Sequence, residues 1–385
     1  MGAGIGAHVW WAKSHRSRVA RAAAKLVAID APPVRLSEGL FLPRNEVTKG
    51  IAADRRTECP NTVLVTGDCG AGKSMAAKSA FKGQQGVVYT NFNCNPTDTE
   101  PIDACWAAQV LQALGMHSLA LQGEAALRVL KAALQEIQRN GKQRPVFIID
   151  VDAAFASAQM CELLRMCKEL GADASLAHFV VVATAAHTVA GLRAPLSSLC
   201  AKLVEIGDLE TEEAQEYVKG ALRKWCAAHG AVITQSEESN IIDKVLSKCG
   251  TRVLYLKVTC HGSWGRCETL PELNAAIEAD AERFERWAVW GLDKFLALVP
   301  ATAARAQQLE VLRQFASDSK SGTLALDRAA SAFGITESRF IELNLDSAPG
   351  AALPFTIVFG TRQVRAASVH AQRAMLKQVA AWESE

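Results

Sequence analysis

Residues 61–81 read NTVLVTGDCGAGKSMAAKSAF, and they carry the strongest pattern in the chain. A short β-branched segment leads into a glycine-rich turn, and a segment of helix-forming residues follows. Glycines let successive backbone N–H groups of such a turn point inward, and the following helix adds its positive N-terminal end. The order strand, loop, helix therefore predicts a P-loop that holds phosphate.

The turn satisfies the pattern G-x-x-x-x-G-K-[ST] from Gly67 to Ser74. In this motif the lysine reaches the β- and γ-phosphates, and the serine or threonine hydroxyl ligates Mg²⁺. We therefore predict ATP and Mg²⁺ as cofactors. The predicted nucleotide-binding residues of this segment are Gly67, Asp68, Cys69, Gly70, Ala71, Gly72, Lys73, Ser74 and Met75.

The segment RPVFIIDVD, residues 144–152, predicts a central strand that ends in carboxylates. Val146–Ile149 is an apolar run, as expected of a buried parallel strand. Asp150 follows at the carboxyl end, where open α/β sheets bind ligands, and we assign it with Ser74 to the metal ion. Asp152 returns to the same side of the strand, so it either orients the attacking water or caps the next helix.

Two further segments predict strands of the same sheet, GVVYTNFNC at residues 86–94 and HFVVVATAAHTV at residues 178–189. Thr184, near the end of the second, either contacts the γ-phosphate or the lytic water, or is a core threonine. The candidate catalytic residues are thus Asp150, Asp152 and Thr184. The predicted fold class is α/β, with a three-layer P-loop core around a parallel sheet.

In this order the segments resemble the AAA+ class of P-loop ATPases and, more narrowly, its STAND branch, which includes archaeal-type ATPases and NACHT-like switch proteins. The segment LFLPRNEVTKGI, residues 40–51, resembles the entry box F-x-G-R-x-x-E of that family, whose backbone frames the adenine. Arg44 matches the arginine of the box, whereas Pro43 replaces its glycine. The resemblance makes Arg44 a further nucleotide-binding candidate and places Thr184 at the sensor-1 position.

The resemblance extends through a helical lid to about residue 260. The segment IGDLETEEAQEYV, residues 206–218, resembles the family's L-x-x-E-E-A entry into the lid. The segment KCGTRVLYLKV, residues 248–258, resembles the lid motif G-G-x-P-x-x-L without its proline. The family implies ATP between core and lid, a protein partner, and assembly of further copies through the nucleotide site. Arg193 is then either a trans-acting arginine or an ordinary exposed one.

The residue after Asp150 bears on whether the chain hydrolyses ATP. Val151 stands where many relatives carry a glutamate directly after the metal aspartate. The chain therefore either hydrolyses ATP slowly, with Asp152 as the water-orienting carboxylate, or only binds it.

The C-terminal part predicts a winged-helix-like domain. LALDRAASAFGITESRFIELNL, residues 324–345, indicates helix, turn, helix, with Asp327 and Thr336 as caps and Gly334 in the turn. PFTIVFGTRQVRAAS, residues 354–368, indicates a hairpin. Basic and acidic residues balance over this part, whereas a DNA-reading domain should be basic. We therefore favour a regulatory domain packed on the rest of the chain, and nucleic acid is the alternative partner.

The first 35 residues carry a net charge of +5, and the remaining chain therefore carries −3 of the total of +2. Wound as a helix, Trp11, Val19, Ala22 and Leu26 share one face. This segment is either a mitochondrial transit peptide or a first helix docked on the folded body. The 11 cysteines form no CxxC pair, which favours reduced thiols in an intracellular, cytoplasmic protein. No apolar run is long enough to span a bilayer.

Four units follow from these patterns: a basic N-terminal segment (1–35), a P-loop core (36–208), a helical lid (209–300) and a winged-helix-like domain (301–385). The predicted function is that of an ATP-binding, slowly ATP-hydrolysing AAA+/STAND-like switch, whose nucleotide state is read by the lid and the C-terminal domain. The alternatives are a DNA-associated AAA+ ATPase of the initiator or loader type, and a non-catalytic nucleotide-binding scaffold.

Overall fold

The structure is a computed structural model of the 385-residue chain. It describes residues 2–32, 45–52, 62–92, 101–116, 123–151, 157–183, 196–199, 201–300, 304–316, 323–347, 354–358 and 363–384.

Five parallel strands form the central sheet. They are β1 (Thr62–Gly67), β2 (Val87–Phe92), β3 (Val146–Val151), β4 (His178–Val182) and β5 (Ala201–Ile206), and their spatial order is β2-β3-β4-β1-β5. The strand that precedes the P-loop and the strand that carries Asp150 are therefore separated by β4. The predicted parallel sheet is confirmed. Strand β5 was not predicted, because its segment AKLVEI mixes charged with apolar residues and shows no apolar run.

Helices cover both faces of this sheet. They are α1 (Gly2–Ala28), α2 (Asn45–Ala52), α3 (Lys73–Ala80), α4 (Ile102–Ala113), α5 (Gly123–Arg139) and α6 (Ser157–Lys168). One apolar cluster joins α1, α4, α5 and α6 to the sheet, and a second joins α2 and α3 to the opposite face. The predicted three-layer α/β core is therefore confirmed.

The N-terminal helix α1 packs into the core. Val19, Ala22 and Leu26 are buried in the first cluster, and the helix contacts α5. The Nζ of Lys25 donates to the carbonyl oxygen of Leu114 over 2.5 Å. This packing favours the docked first helix over the transit-peptide alternative. Within the described residues, no helix is both long enough and apolar enough to cross a membrane.

The lid follows β5. It comprises α7 (Thr211–His229), α8 (Gln235–Cys249), the short α9 (Val253–Lys257) and α10 (Leu270–Leu298). A π-helical turn at Val258–Ser263 and a 3₁₀ turn at Trp264–Arg266 connect α9 to α10. The segment predicted as the lid entry thus begins α7, where Glu210 and Glu213 form a reciprocal capping box. Helix α10 belongs to two apolar clusters, because Phe284 packs with the lid and Phe295 with the C-terminal part.

The C-terminal part comprises α11 (Arg305–Ala316), β6 (Leu324–Ala325), α12 (Leu326–Ala332), α13 (Glu337–Ser347), β7 (Phe355–Val358), β8 (Gln363–Ala366) and α14 (Val369–Glu383). Strands β6, β8 and β7 form an antiparallel sheet in that order. Both the predicted helix–turn–helix and the predicted hairpin are present, in agreement with a winged-helix-like arrangement.

The cap residues of this part were predicted with mixed success. Gly334 has a positive φ of 66°, and the Thr336 hydroxyl accepts from the N–H of Arg339 over 3.2 Å, as a cap should. The prediction for Asp327 is wrong, because α12 begins at Leu326 and its N-cap is Ala325, two residues before Asp327. The carboxylate of Asp327 lies inside the first turn and accepts from the N–H of Arg328.

Candidate nucleotide-binding site

The P-loop connects β1 to α3 as predicted, and its backbone requires glycine at two positions. Gly67 has a φ of 149°, and a Cβ atom there would lie 2.0 Å from the carbonyl oxygen of Ile206. Gly70 has a φ of 79°, and its Cβ would lie 2.5 Å from the Cβ of Leu254. Gly72 is the N-cap of α3, also with left-handed backbone. The glycine spacing therefore follows from close packing against β5 and the lid.

Lys73 is the first residue of α3 and directly follows this loop. The side chain is largely buried, and its Nζ donates to the carbonyl oxygen of Asp68 over 2.6 Å. Burial lowers the pKa of Lys73, whereas the nearby Cys69, Asp68 and Asp150 oppose that shift. A phosphate oxygen entering the loop would offer this ammonium group a charged acceptor in place of a backbone carbonyl.

Asp150 is the penultimate residue of β3, and a tyrosine holds its carboxylate. The hydroxyl of Tyr89 on β2 donates to the Oδ2 atom of Asp150 over 2.6 Å. Burial raises the pKa of Tyr89, and the hydrogen bond to Asp150 raises it further, so the phenol stays protonated. The Nζ of Lys78 lies 3.7 Å from the centroid of the Tyr89 ring.

The residues present fit ATP and Mg²⁺. The left-handed glycines open the backbone of the loop, α3 begins at Lys73, and Ser74 and Asp150 offer the oxygen ligands that Mg²⁺ prefers. The metal would be held by the Ser74 hydroxyl and, through water, by Asp150. Its chemistry there would be to screen the charge of the phosphates.

The P-loop itself contains a carboxylate, Asp68, whose side-chain partners lie in distant parts of the chain. The Nη2 atom of Arg252 donates to the Oδ2 atom of Asp68 over 2.7 Å, and its Nε donates to the Oδ1 atom of Asp208 over 3.0 Å. Arg252 also donates to the carbonyl oxygen of Ala367, and the hydroxyl of Thr356 donates to Asp68. We call these five residues the Asp68 junction. They join the P-loop, the segment between β5 and α7, the lid and the C-terminal part.

The Asp68 junction is centred on a buried cation. The side chain of Arg252 is only 3% exposed. Burial by itself would lower the pKa of Arg252, but Asp68 and Asp208 outweigh burial and raise it. A cavity of about 520 Å³ borders the junction and is lined by polar groups of Asp208, Arg365 and Ser368 among others. Side chains of the junction therefore have polar space into which they can move.

The lid also contacts the P-loop through its backbone. The N–H of Leu254 donates to the carbonyl oxygen of Gly70 over 3.1 Å. Leu254 is the residue that matches the leucine of the lid motif, and Gly250 of the same motif has a positive φ of 77°. The segment identified by resemblance is thus the part of the lid that lies on the nucleotide loop.

The structure therefore brings the P-loop residues and Asp150 together. Arg44, Asp152, Thr184 and Arg193 lie outside the described residues, so their predicted roles stay predictions. Four partners in the site were not predicted: Tyr89, Asp208, Arg252 and Thr356. Each reaches the site across more than 60 residues of sequence, except Asp208, whose partner Arg252 lies 44 residues away.

Comparisons with known proteins found matches among solved structures. No protein-family model and no curated protein sequence matches the chain. Similar solved structures include the Aeropyrum pernix Orc1 protein in complex with DNA, at 15% identity and a TM-score of 0.40, which covers 90% of this chain and 95% of that one. Cdc6p from Pyrobaculum aerophilum shows 9% identity and a TM-score of 0.43, covering 92% and 99%.

A STAND protein with a tetratricopeptide repeat sensor from Pyrococcus horikoshii shows 12% identity and a TM-score of 0.34, covering 91% of this chain and 43% of that one. These neighbours are P-loop NTPases of the AAA+ class, the class that the sequence resembles. At such identities and TM-scores the likeness carries no argument about activity or partners, which must come from the geometry of the site.

Proposed function

We propose that this protein is an ATP-binding, slowly ATP-hydrolysing switch of the AAA+/STAND type, whose nucleotide state is read by the lid and the C-terminal domain. The observation that carries the proposal is the Asp68 junction. One residue of the phosphate loop is bonded through its side chain to the lid by Arg252 and to the C-terminal part by Thr356.

Lys73 links the phosphate site to the Asp68 junction. Lys73 donates to the backbone carbonyl of Asp68, the same residue whose carboxylate holds Arg252. Phosphate draws the lysine away from that carbonyl and brings negative charge towards Arg252, which then has a competing partner. The carboxylate of Asp68 therefore holds the lid and the C-terminal part less firmly when ATP is bound.

The buried charge of Arg252 favours two arrangements of the Asp68 junction over intermediate ones. Breaking a buried ion pair by removing one partner costs about 3–5 kcal/mol, because the other charge stays buried without compensation. Partial opening is therefore unfavourable, and the junction is either formed or replaced by other contacts. Such a bistable element is what a nucleotide-driven switch requires.

Slow turnover is the part of the proposal that rests on sequence. Val151 follows Asp150 where a glutamate would be the usual water-orienting group, and Asp152 is the remaining candidate. If Asp152 does not act, the protein is a binding scaffold instead. Turnover of the wild type and of Asp152→Asn, measured at several protein concentrations, separates these cases and also reveals assembly through the nucleotide site.

Two arginines of the described C-terminal part, Arg339 and Arg365, give no support to the DNA-associated alternative. Helix α13, the second helix of the helix–turn–helix, exposes Arg339, but this side chain is paired with Glu342 over 3.1 Å. Arg365 of β8 lines the cavity beside the lid and is only half-exposed. A surface that meets the phosphates of a duplex should instead present unpaired cations.

ATP binding is tested by thermal unfolding. Ligand at about 100 times its Kd stabilises the native state by roughly 2.7 kcal/mol, which should raise the Tm by several degrees. We expect this shift for the wild type with ATP and Mg²⁺ and its loss in Lys73→Ala. Lys82→Ala, which removes an exposed lysine just after α3, is the matched control and should retain the shift. An equal shift in Lys73→Ala would contradict binding at the P-loop.

A further inference from the structure

Tyr89 and Asp150 meet across two neighbouring strands of the sheet. In the parallel register of β2 and β3, Tyr89 lies opposite Ile148 and Asn91 lies opposite Asp150. Tyr89 and Asp150 are thus diagonal neighbours on one face, a separation that a tyrosine side chain can bridge. Its hydroxyl completes the bridge with a bond of 2.6 Å to the Oδ2 atom.

The surroundings of Tyr89 keep its ring in place. It packs at the edge of the apolar cluster that includes Ala77 and Phe81 of the P-loop helix region and Ile148 of β3. Lys78 from α3 covers the ring face. Tyr89 therefore connects α3, through Lys78, to the carboxylate of Asp150 on β3.

We propose that Tyr89 is a positioning residue for the metal site. Its neutral hydroxyl fixes Asp150 by the Oδ2 atom, which leaves Oδ1 and the negative charge of the carboxylate for a water molecule bound to Mg²⁺. A second partner that orients a ligating carboxylate in this way typically contributes a factor of about 10–100 to metal affinity. The inference rests on the proposed function, because Asp150 is assigned to the metal only there.

The test is the Mg²⁺ dependence of ATP binding in Tyr89→Phe, a change that keeps the ring under Lys78 and removes only the hydroxyl. We expect the Mg²⁺ concentration at half-maximal ATP affinity to rise roughly tenfold. ATP affinity in EDTA and the Tm of the free protein should stay near the wild-type values. Mn²⁺ in place of Mg²⁺ gives a direct reading, because free Mn²⁺ is counted by its electron paramagnetic resonance signal.

Two controls make the result specific. Tyr217→Phe removes a hydroxyl from a buried tyrosine of the lid and should leave the Mg²⁺ midpoint unchanged. Asp150→Asn should raise the midpoint by itself, and adding Tyr89→Phe to it should have no further effect, because Tyr89 acts through Asp150.

The outcomes separate the two proposals. An unchanged midpoint in Tyr89→Phe, or a full additional effect in the Asp150→Asn background, overturns the role of Tyr89 while wild-type ATP binding stands. If the wild type shows no Mg²⁺-dependent ATP binding, the proposed function fails and the role of Tyr89 fails with it.

Discussion

Asp68 and Asp150 lie beside the same lysine, but their partners are of opposite kinds. Asp68 is bonded to the buried guanidinium of Arg252, which it shares with Asp208. Asp150 is bonded to the hydroxyl of Tyr89, a neutral donor. A carboxylate that must attract a cation cannot be paired with an arginine, whereas one that holds units of the fold together benefits from it. These contacts are the reason for the proposed roles, metal binding for Asp150 and coupling for Asp68.

The largest expected effect is on the free energy of unfolding, and it comes from removing Arg252, the cation of the Asp68 junction. Arg252→Ala leaves Asp68 and Asp208, whose side chains are 12% and 27% exposed, without their shared partner. We expect the free energy of unfolding to fall by about 3 kcal/mol, the lower end of the range for breaking a buried pair, because both carboxylates reach water; urea denaturation measures it. Arg339→Ala removes an arginine of an exposed pair and should cost about 0.5 kcal/mol. Equal effects of the two changes would show that the junction is no stronger than a surface contact.

A smaller loss of stability is expected at low pH, and its source is His370, a neighbour of Arg252 in the Asp68 junction. His370 of α14 is buried between Tyr255 and Phe284 of the lid, with Arg252, Arg373 and Glu285 as its charged neighbours. Burial, with a contribution from Arg373, lowers its pKa to about 4.

The sign of the pH dependence follows from that shift. Between about pH 6.5 and 4 the unfolded chain binds a proton at His370 that the folded chain does not, so stability falls as the pH falls through this window. The loss between pH 6.5 and 5 should be about 2 kcal/mol, measured by urea denaturation at each pH. His370→Leu should flatten this part of the profile, and an unaltered slope would exclude His370 as its source.

The two sides of the site also differ in how far sequence could predict them. Gly67 to Ser74 form one contiguous motif, and Asp150 ends an apolar run, so both follow from local pattern. The coupling side is assembled from distant segments. Asp68 meets Arg252 across 184 residues and Thr356 across 288, and no local periodicity records such a contact. The resemblance pointed to the lid segment that holds Arg252 but assigned no role to the arginine.

The same reasoning applies to the fold. Strands β1 to β4 were predicted from apolar runs because both faces of a parallel strand are buried. Strand β5 lies at the edge of the sheet and carries Lys202 and Glu205 on its more exposed positions, so its pattern was not recognised. The choice between a docked α1 and a transit peptide depended on packing against α5, which the helical pattern of residues 11–27 does not contain.

The most direct test of coupling through Asp68 is amide hydrogen exchange in β7 and β8, with and without ATP and Mg²⁺, in the wild type and in Asp68→Asn. We expect ATP to speed exchange in the wild type by about 5- to 150-fold, the range of ordinary allosteric coupling. Asp68→Asn should still bind ATP, and its exchange in these strands should no longer depend on the nucleotide. The same ATP-dependent change in Asp68→Asn, or none in the wild type, would contradict the account.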